Sequence, residues 1–411
     1  MTSAAMHVGV DVASIDRIAR ALQRHPRFAE RIYTESERRR CAGKAERWAS
    51  RWAAKEAVRK LYGSAHAPLP AMREIEVVSA RGAPRIRVRG EETDIAVSLT
   101  HDAGVAVAVV VARGAGGAAK VEVPAGLRLP ARPADGHKGT FGHVVVVAGA
   151  RGYTGAPQLA ALGAARGGAG LVTVCVPEAI YPIVAARCLE VMPAPLPDAG
   201  SGVLRAEGLE IVREHLRAAG SLVIGPGLGR SPETAGALLD LLQDLPCPAV
   251  VDADGLNLAA ASEFDWRRSG QPVVLTPHPA EMARLTQLET AAVQNDRVGV
   301  ATRYAHERGA VVVLKGAETV IAAPEGRVHT DTHRVVALAT GGTGDVLAGL
   351  VGGFIAQHLD PFDAAIAAVT VHAHAGLIVQ ARQGRAGALA SDLLRALPRA
   401  QEQLRRALER R

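Results

Sequence analysis

Ala339-Thr340-Gly341-Gly342-Thr343-Gly344-Asp345-Val346-Leu347-Ala348-Gly349 is the stretch on which the reading of this 411-residue chain turns. Three glycines and two threonines precede an apolar segment, 346–359, whose pattern predicts a buried helix. A glycine-rich turn feeding a helix N-terminus offers backbone N–H groups and the positive end of the helix dipole, which suits nucleotide phosphates. Asp345 would repel phosphate, so a pure anion site does not account for it. It fits a group that takes a proton from a hydroxyl exchanging with the terminal phosphoryl group. The plain alternative is a turn in which Asp345 merely favours the first helical turn.

Outward from that stretch, the chain from about residue 136 alternates. Val-rich strands are expected at 143–148, 171–176, 221–224, 249–252, 273–275 and 310–314, with helical segments between most of them. Continuous apolar strands ending in Gly, Asp or Pro predict an α/β unit with a largely parallel sheet covered on both faces. Ligands then belong at the carboxyl ends of the strands. Polar clusters fall there: His137-Lys138-Gly139, Gly225-Pro226-Gly227-Leu228-Gly229, Asp252-Ala253-Asp254-Gly255-Leu256-Asn257, Thr276-Pro277-His278-Pro279-Ala280-Glu281 and Leu314-Lys315-Gly316-Ala317-Glu318-Thr319. Each alone has a bland explanation, such as a tight turn or a helix cap. Their joint occurrence is what one shared site predicts.

These phrases, with HKGTFG at 137–142 and TGAPQLAALGAARGGAGLV at 154–172, resemble the ADP/ATP-dependent NAD(P)H-hydrate dehydratases, a family of ribokinase-like fold. The resemblance covers residues 122–400. It implies that Lys315, Gly316, Ala317, Glu318, Thr319 and Gly344 hold the adenine nucleotide. It implies too that Ala156, Gly227, His278 and Asp345 contact the hydrated nicotinamide nucleotide, with Asp252 and Asn257 as supports. The implied reaction removes water added across the nicotinamide ring: Asp345 activates the 6-hydroxyl toward the terminal phosphate of ADP or ATP, Mg²⁺ bridges the phosphates, and phosphate then departs. One departure is Gly149-Ala150, where the family often has Gly-Ser.

The first module has the opposite order, helices early and strands late, which predicts an α+β fold. A strand at 7–12 leads to helices at 14–22, 35–41 and 47–61, then strands at 75–79, 85–89, 95–99 and 105–111. Asp11 closes the first strand and Glu56 lies in RWAAKEAV, 51–58; two carboxylates plus phosphate and water are a common Mg²⁺ ligand set. With Gly82-Ala83-Pro84 and Ser98-Leu99-Thr100-His101-Asp102, the module, residues 7–112, resembles the holo-acyl-carrier-protein synthases. The resemblance implies transfer of 4′-phosphopantetheine from coenzyme A to a serine of apo acyl carrier protein, with Asp11 and Glu56 on Mg²⁺. Lys55, Ser98 and His101 would line the coenzyme A pocket. Ser14 departs from the pattern, where many relatives have Glu.

The expected layout is a transferase-like domain at 1–115, a linker and lead-in at 116–135 rich in Gly, Ala and Pro, and a dehydratase-like domain at 136–405. Residues 1–120 carry 21 Lys and Arg against 13 Asp and Glu, so all the excess positive charge of the chain (+7) lies in the first third. That balance suits an acidic carrier protein and a phosphate-rich donor. Aromatics are only 3% and no nucleic-acid module is legible, so no nucleic acid is expected. Four cysteines without CxxC spacing argue against structural zinc and disulfides and for a reducing cytoplasm. Neither a signal peptide nor an uninterrupted apolar run of membrane length is read. A homo-oligomer is expected from both resemblances. The residues leave two other readings open: a small-molecule kinase of the same fold, and a first module that only docks or oligomerises.

Overall fold

In the computed structural model the described residues are 6–25, 27–64, 69–78, 83–113 and 123–409, and the chain divides into two units, Met1–Val121 and Glu122–Arg411. Gly82 and the stretch 114–122 lie outside the described residues.

The first unit is built on five strands: β1 (Met6–Ser14), β2 (Ile75–Val78), β3 (Arg85–Val88), β4 (Glu91–Asp102) and β5 (Val105–Arg113). They pair antiparallel in the order β1-β5-β4-β3-β2. One face packs on the helix Ala45–Ser64, with Ala13, Ala106, Ala108 and Val110 meeting a helix face rich in alanine. The approach is close enough to require glycine at residue 9, because a Cβ there would stand 1.9 Å from the carbonyl oxygen of Ala57. Strand alternation turns Met6, Val8, Val10, Val12, Val105 and Val109 to the other face, where they are exposed. Ser14 caps the helix Ile15–Arg24 by accepting from the Arg17 N–H, so the position where relatives carry Glu here starts a helix.

The second unit has nine strands: β6 (His143–Val147), β7 (Leu171–Pro177), β8 (Met192–Leu196), β9 (Ser221–Ile224), β10 (Ala249–Val251), β11 (Val273–Leu275), β12 (Val311–Leu314), β13 (Thr319–Ala322) and β14 (Val328–Asp331). Their order is β14-β13-β12-β11-β10-β9-β6-β7-β8. From β12 to β8 all neighbours are parallel, and β13 and β14 add an antiparallel edge. Val145, Leu222, Val251 and Val312 enter one core layer with Leu216, Leu238 and Tyr304. On the opposite face Val144 and Val223 lie under Gly352 of the helix Thr343–Ala356. That helix begins three residues before the expected apolar segment, because Gly342, at φ +86°, serves as its left-handed N-cap.

The helix Pro361–Gln383 has no uninterrupted apolar run of membrane length, since Asp363, Thr370, His372 and His374 break it. By length and overall composition it is apolar enough to cross a bilayer, yet 78% of its apolar window is buried within the fold. Its apolarity is that of a core helix.

Candidate active site

Three successive parallel strands deliver the polar cluster of the second unit. Asp252 follows β10, the segment Thr276–His278 follows β11, and Lys315 follows β12. Asp252 is buried and its Oδ1 accepts from the Thr276 hydroxyl at 2.7 Å and from Lys315 Nζ at 2.8 Å. Glu281 Oε2 lies 4.0 Å from the same ammonium group. Burial works against the charge on Lys315, but Asp252 and Glu281 outweigh it and raise its pKa above the ordinary value.

The glycine-rich helix start closes over this cluster. A Cβ at Gly344 would stand 3.3 Å from Lys315 Nζ and 3.8 Å from Asp252 Oδ2, so glycine allows the helix N-terminus to reach the cluster. Asp345 lies in the first turn. Burial first, and then the nearby Asp252 carboxylate, push its pKa up to about 7, with Lys315 acting in the opposite sense. A carboxyl poised there is matched to proton transfer near neutral pH.

Thr343 Oγ1 donates to the carbonyls of Leu338 and Thr340, at 2.8 and 2.9 Å. His372, buried with its pKa depressed by that burial to about 4, is neutral and donates Nε2–H to the Thr343 carbonyl at 3.0 Å.

His278 caps the helix Pro279–Thr286: Nδ1 accepts from the N–H groups of Ala280 and Glu281, and Glu281 Oε2 accepts from the His278 N–H at 2.8 Å. Nδ1 is therefore the acceptor nitrogen, and Nε2–H faces Glu281 Oε1 at 3.3 Å. Burial and then Lys315 lower the His278 pKa, while burial raises that of Glu281. Ala156 and Gly227 are neighbours, since a Cβ at Gly227 would lie 2.9 Å from the Ala156 Cβ. Asp254 Oδ2 accepts from Gly229 N–H at 3.1 Å and ties the 225–229 turn to the helix Asp254–Ala261. Asn257 bonds Arg284 at 2.9 Å and the Ala253 carbonyl, a contact within the scaffold.

Thus Lys315, Gly344, Asp345 and Asp252 converge, His278 joins them through Glu281, and Ala156 meets Gly227. The Glu318 side chain turns away to pair with Arg334. Sequence reading took Thr276–Glu281 as a possible helix cap with Glu281 in its first turn, but gave Thr276, Glu281 and His372 no role in the site. His372 was findable as a histidine inside a long apolar helix.

In the first unit Asp11 and Glu56 lie on the strand and helix that meet at Gly9 and Ala57. Asp11 Oδ1 accepts from Lys60 Nζ at 2.8 Å and Glu56 Oε1 from Arg59 at 3.1 Å. Both carboxylates are partly open, with 16% and 26% of their side-chain surface exposed. Hard oxygen donors of this kind fit Mg²⁺ that draws its remaining ligands from phosphate and water. Among the described residues no group of three or more His, Cys, Asp or Glu could hold a metal by itself.

One pocket expectation is corrected. Lys55 is fully buried, ion-paired with Glu37 at 2.7 Å and bonded to the carbonyls of Met72 and Ile75, so it reaches no ligand. Ser98 pairs with Val109, which pairs with Val10, and so stands on the sheet face opposite Asp11. His101 does share the Asp11 face, through Ala106 and Ala13.

Comparison with known proteins agrees with this division. Residues 144–399 match the family described as NAD(P)H-hydrate dehydratase, and residues 7–110 match the 4′-phosphopantetheinyl transferase superfamily. The bifunctional NAD(P)H-hydrate repair enzyme Nnr of Moorella thermoacetica is 43% identical over 271 residues, 66% of this chain and 51% of that protein. The ADP-dependent (S)-NAD(P)H-hydrate dehydratase of Neisseria meningitidis is 34% identical over 65% of this chain and 88% of its own length. The ADP/ATP-dependent NAD(P)H-hydrate dehydratase of Bacillus subtilis, co-crystallised with ATP and Mg²⁺, superposes with a TM-score of 0.59 at 31% identity, covering 67% of this chain and 94% of that one. The chain spans about half the length of the bifunctional relatives it matches.

Proposed function

Because the chain belongs to the NAD(P)H-hydrate dehydratase family, we propose that its second unit returns the 6-hydroxy hydrate of NADH or NADPH to the reduced cofactor, with ADP as phosphoryl donor and ATP as the alternative. The observation that carries this reading is Asp345, held near neutral pKa at a glycine-rich helix N-terminus beside the Lys315–Asp252 pair. Its carboxylate accepts the proton of the 6-hydroxyl while that oxygen bonds to the terminal phosphorus and the bond to the leaving nucleotide breaks. The new phosphate ester then departs with the C–O electron pair. Loss of a proton from the adjacent ring carbon restores the double bond.

Lys315 and the N–H groups at the helix start supply positive potential for the migrating charge. Mg²⁺, when bound, neutralises phosphate charge. His278, Ala156 and Gly227 form the nicotinamide side of the site. The test supplies NADPH hydrate, Mg²⁺ and either ADP or ATP. Regained reduced-nicotinamide absorbance with one phosphate released per turnover is expected; a stable phosphorylated product would make the unit a kinase.

For the first unit we propose transfer of 4′-phosphopantetheine from coenzyme A to a serine of an apo acyl carrier protein, with Asp11 and Glu56 as carboxylate ligands for Mg²⁺. The superfamily match and the positive balance of residues 1–120 support it. Apo carrier protein incubated with coenzyme A and Mg²⁺ should gain the mass of the phosphopantetheine arm, and Asp11→Ala should abolish the gain. We propose a cytoplasmic homo-oligomer, for which the exposed valines of β1 and β5 provide an apolar contact face.

A further inference from the structure

Arg297 opens the helix Arg297–Arg308, directly after its N-cap Asp296. A cation is electrostatically disfavoured at that end of a helix. Its guanidinium is nevertheless drawn into the fold, where burial lowers its pKa. Three backbone carbonyls of one loop hold it. Nη2 donates to Leu314 O at 2.7 Å, Lys315 O at 3.1 Å and Glu318 O at 2.9 Å, and Nε donates to Glu318 O at 3.2 Å. Nη1 is held as well, donating to Gln294 Oε1 at 2.7 Å. The fork thus spans the loop from the end of β12 to the start of β13, including the peptide groups that flank Lys315.

We infer that Arg297 is a positioning residue for nucleotide binding: it clasps the 314–318 loop in the shape that presents Lys315 and the loop amides to the phosphates. This rests on the reading that the 315–319 loop holds the nucleotide. A trans peptide whose carbonyl faces the guanidinium turns its N–H to the other side, so the clasp at Lys315 O sends the Gly316 N–H away from the cation. The clasp also explains the glycine of the LKGAET motif. A Cβ at residue 316 would lie 2.7 Å from Arg297 Nη2 and about as close to the rest of the guanidinium, so any side chain there displaces it. Arg297 and Gly316 form one device, with a planar five-donor fork on one side and a bare Cα on the other. Lysine cannot replace the fork, because its shorter stem ends before the Nη2 position and a single ammonium loses the Nε bond to Glu318 O and the Nη1 bond to Gln294 Oε1.

The test measures ADP binding by calorimetry, and steady-state kinetics with ADP and NADPH hydrate, on the full chain. The variants are Arg297→Lys, Arg297→Ala, Gly316→Ala and the Arg297→Ala/Gly316→Ala double variant. Arg297→Ala is expected to weaken ADP binding and raise the ADP KM by about tenfold or more, the loss expected for charge-assisted hydrogen bonds. Turnover at saturating ADP should stay within about threefold, and the KM for hydrate should not change. Gly316→Ala should reproduce the ADP effect, and the double variant should be no worse than the poorer single one. Added guanidinium ion should restore ADP affinity to Arg297→Ala without moving its melting temperature.

Wild-type ADP affinity in Arg297→Lys or Arg297→Ala overturns the proposal while leaving the dehydratase reading intact. So do additive losses in the double variant, or equal loss of ADP and hydrate affinity. Failure of the folded wild-type chain to bind either ADP or ATP overturns both.

Discussion

Asp345 draws its character from its neighbours. A carboxyl with a folded pKa near 7 holds its proton more tightly than the unfolded chain does, so it favours the fold below the ordinary carboxylate range, and that contribution is lost as pH rises through about 7. As a base it works in the opposite direction, and kcat/KM should rise with pH through about 7. Asp252 is the largest charge raising that pKa. Asp252→Asn should therefore move the acid limb of the pH profile to lower pH, even as loss of the Lys315 pair lowers the rate; an unmoved limb in a pH–rate profile would assign it to another group. The sequence displayed Asp345, Lys315 and Asp252 because their motifs punctuate strand ends. It could not display the ion pair of Lys55 with Glu37, because a lysine inside RWAAKEAV reads the same whether it faces a ligand or the core. Only the partner, eighteen residues earlier in the chain, decides.

Two helices set where Asp345 stands. Thr343–Ala356 packs on Ala156–Gly167 backbone to backbone through glycines: a Cβ at Gly349 would lie 1.9 Å from Ala160 O, and one at Gly163 would lie 2.5 Å from Val346 O. Replacing a helical glycine by alanine ordinarily gains about 1 kcal/mol, and overpacking costs about 1–3 kcal/mol. At Gly349 the obstacle is backbone, so the second effect wins. Gly349→Ala should lower the melting temperature and, one turn from Asp345, lower kcat as well. Gly236→Ala, in the helix Pro232–Leu242 with nothing within 4 Å, should stabilise instead. Thermal melts of both decide the argument. The buried parallel strands were legible as apolar runs. β8 was not, because Pro193 and Pro195 interrupt its pattern, and β14 was not, because its VHTD sequence is half polar at a sheet edge. β13 begins on the last residue of the LKGAET motif, Thr319, and its remaining three residues were too few to read as a strand.

At the scale of the whole molecule, two units with opposite element orders and different charge balances share one chain. The change of texture between residues 112 and 138 marked the joint, and element order gave each fold class. An apolar sheet face became visible only when pairing aligned Val8 with Val111, Val10 with Val109 and Val12 with Val107. If that face is the contact between copies, Val10→Glu should reduce the mass measured by light scattering while the dehydratase rate stays within about twofold; an unchanged mass would move the contact elsewhere. The most direct test of the central claim is a single-turnover assay of Asp345→Asn with NADPH hydrate, Mg²⁺ and ADP, alongside wild type. Loss of reduced-nicotinamide recovery by about two to four orders of magnitude, with ADP binding intact by calorimetry, is the predicted result. Recovery at the wild-type rate would remove Asp345 from the chemistry and contradict the account.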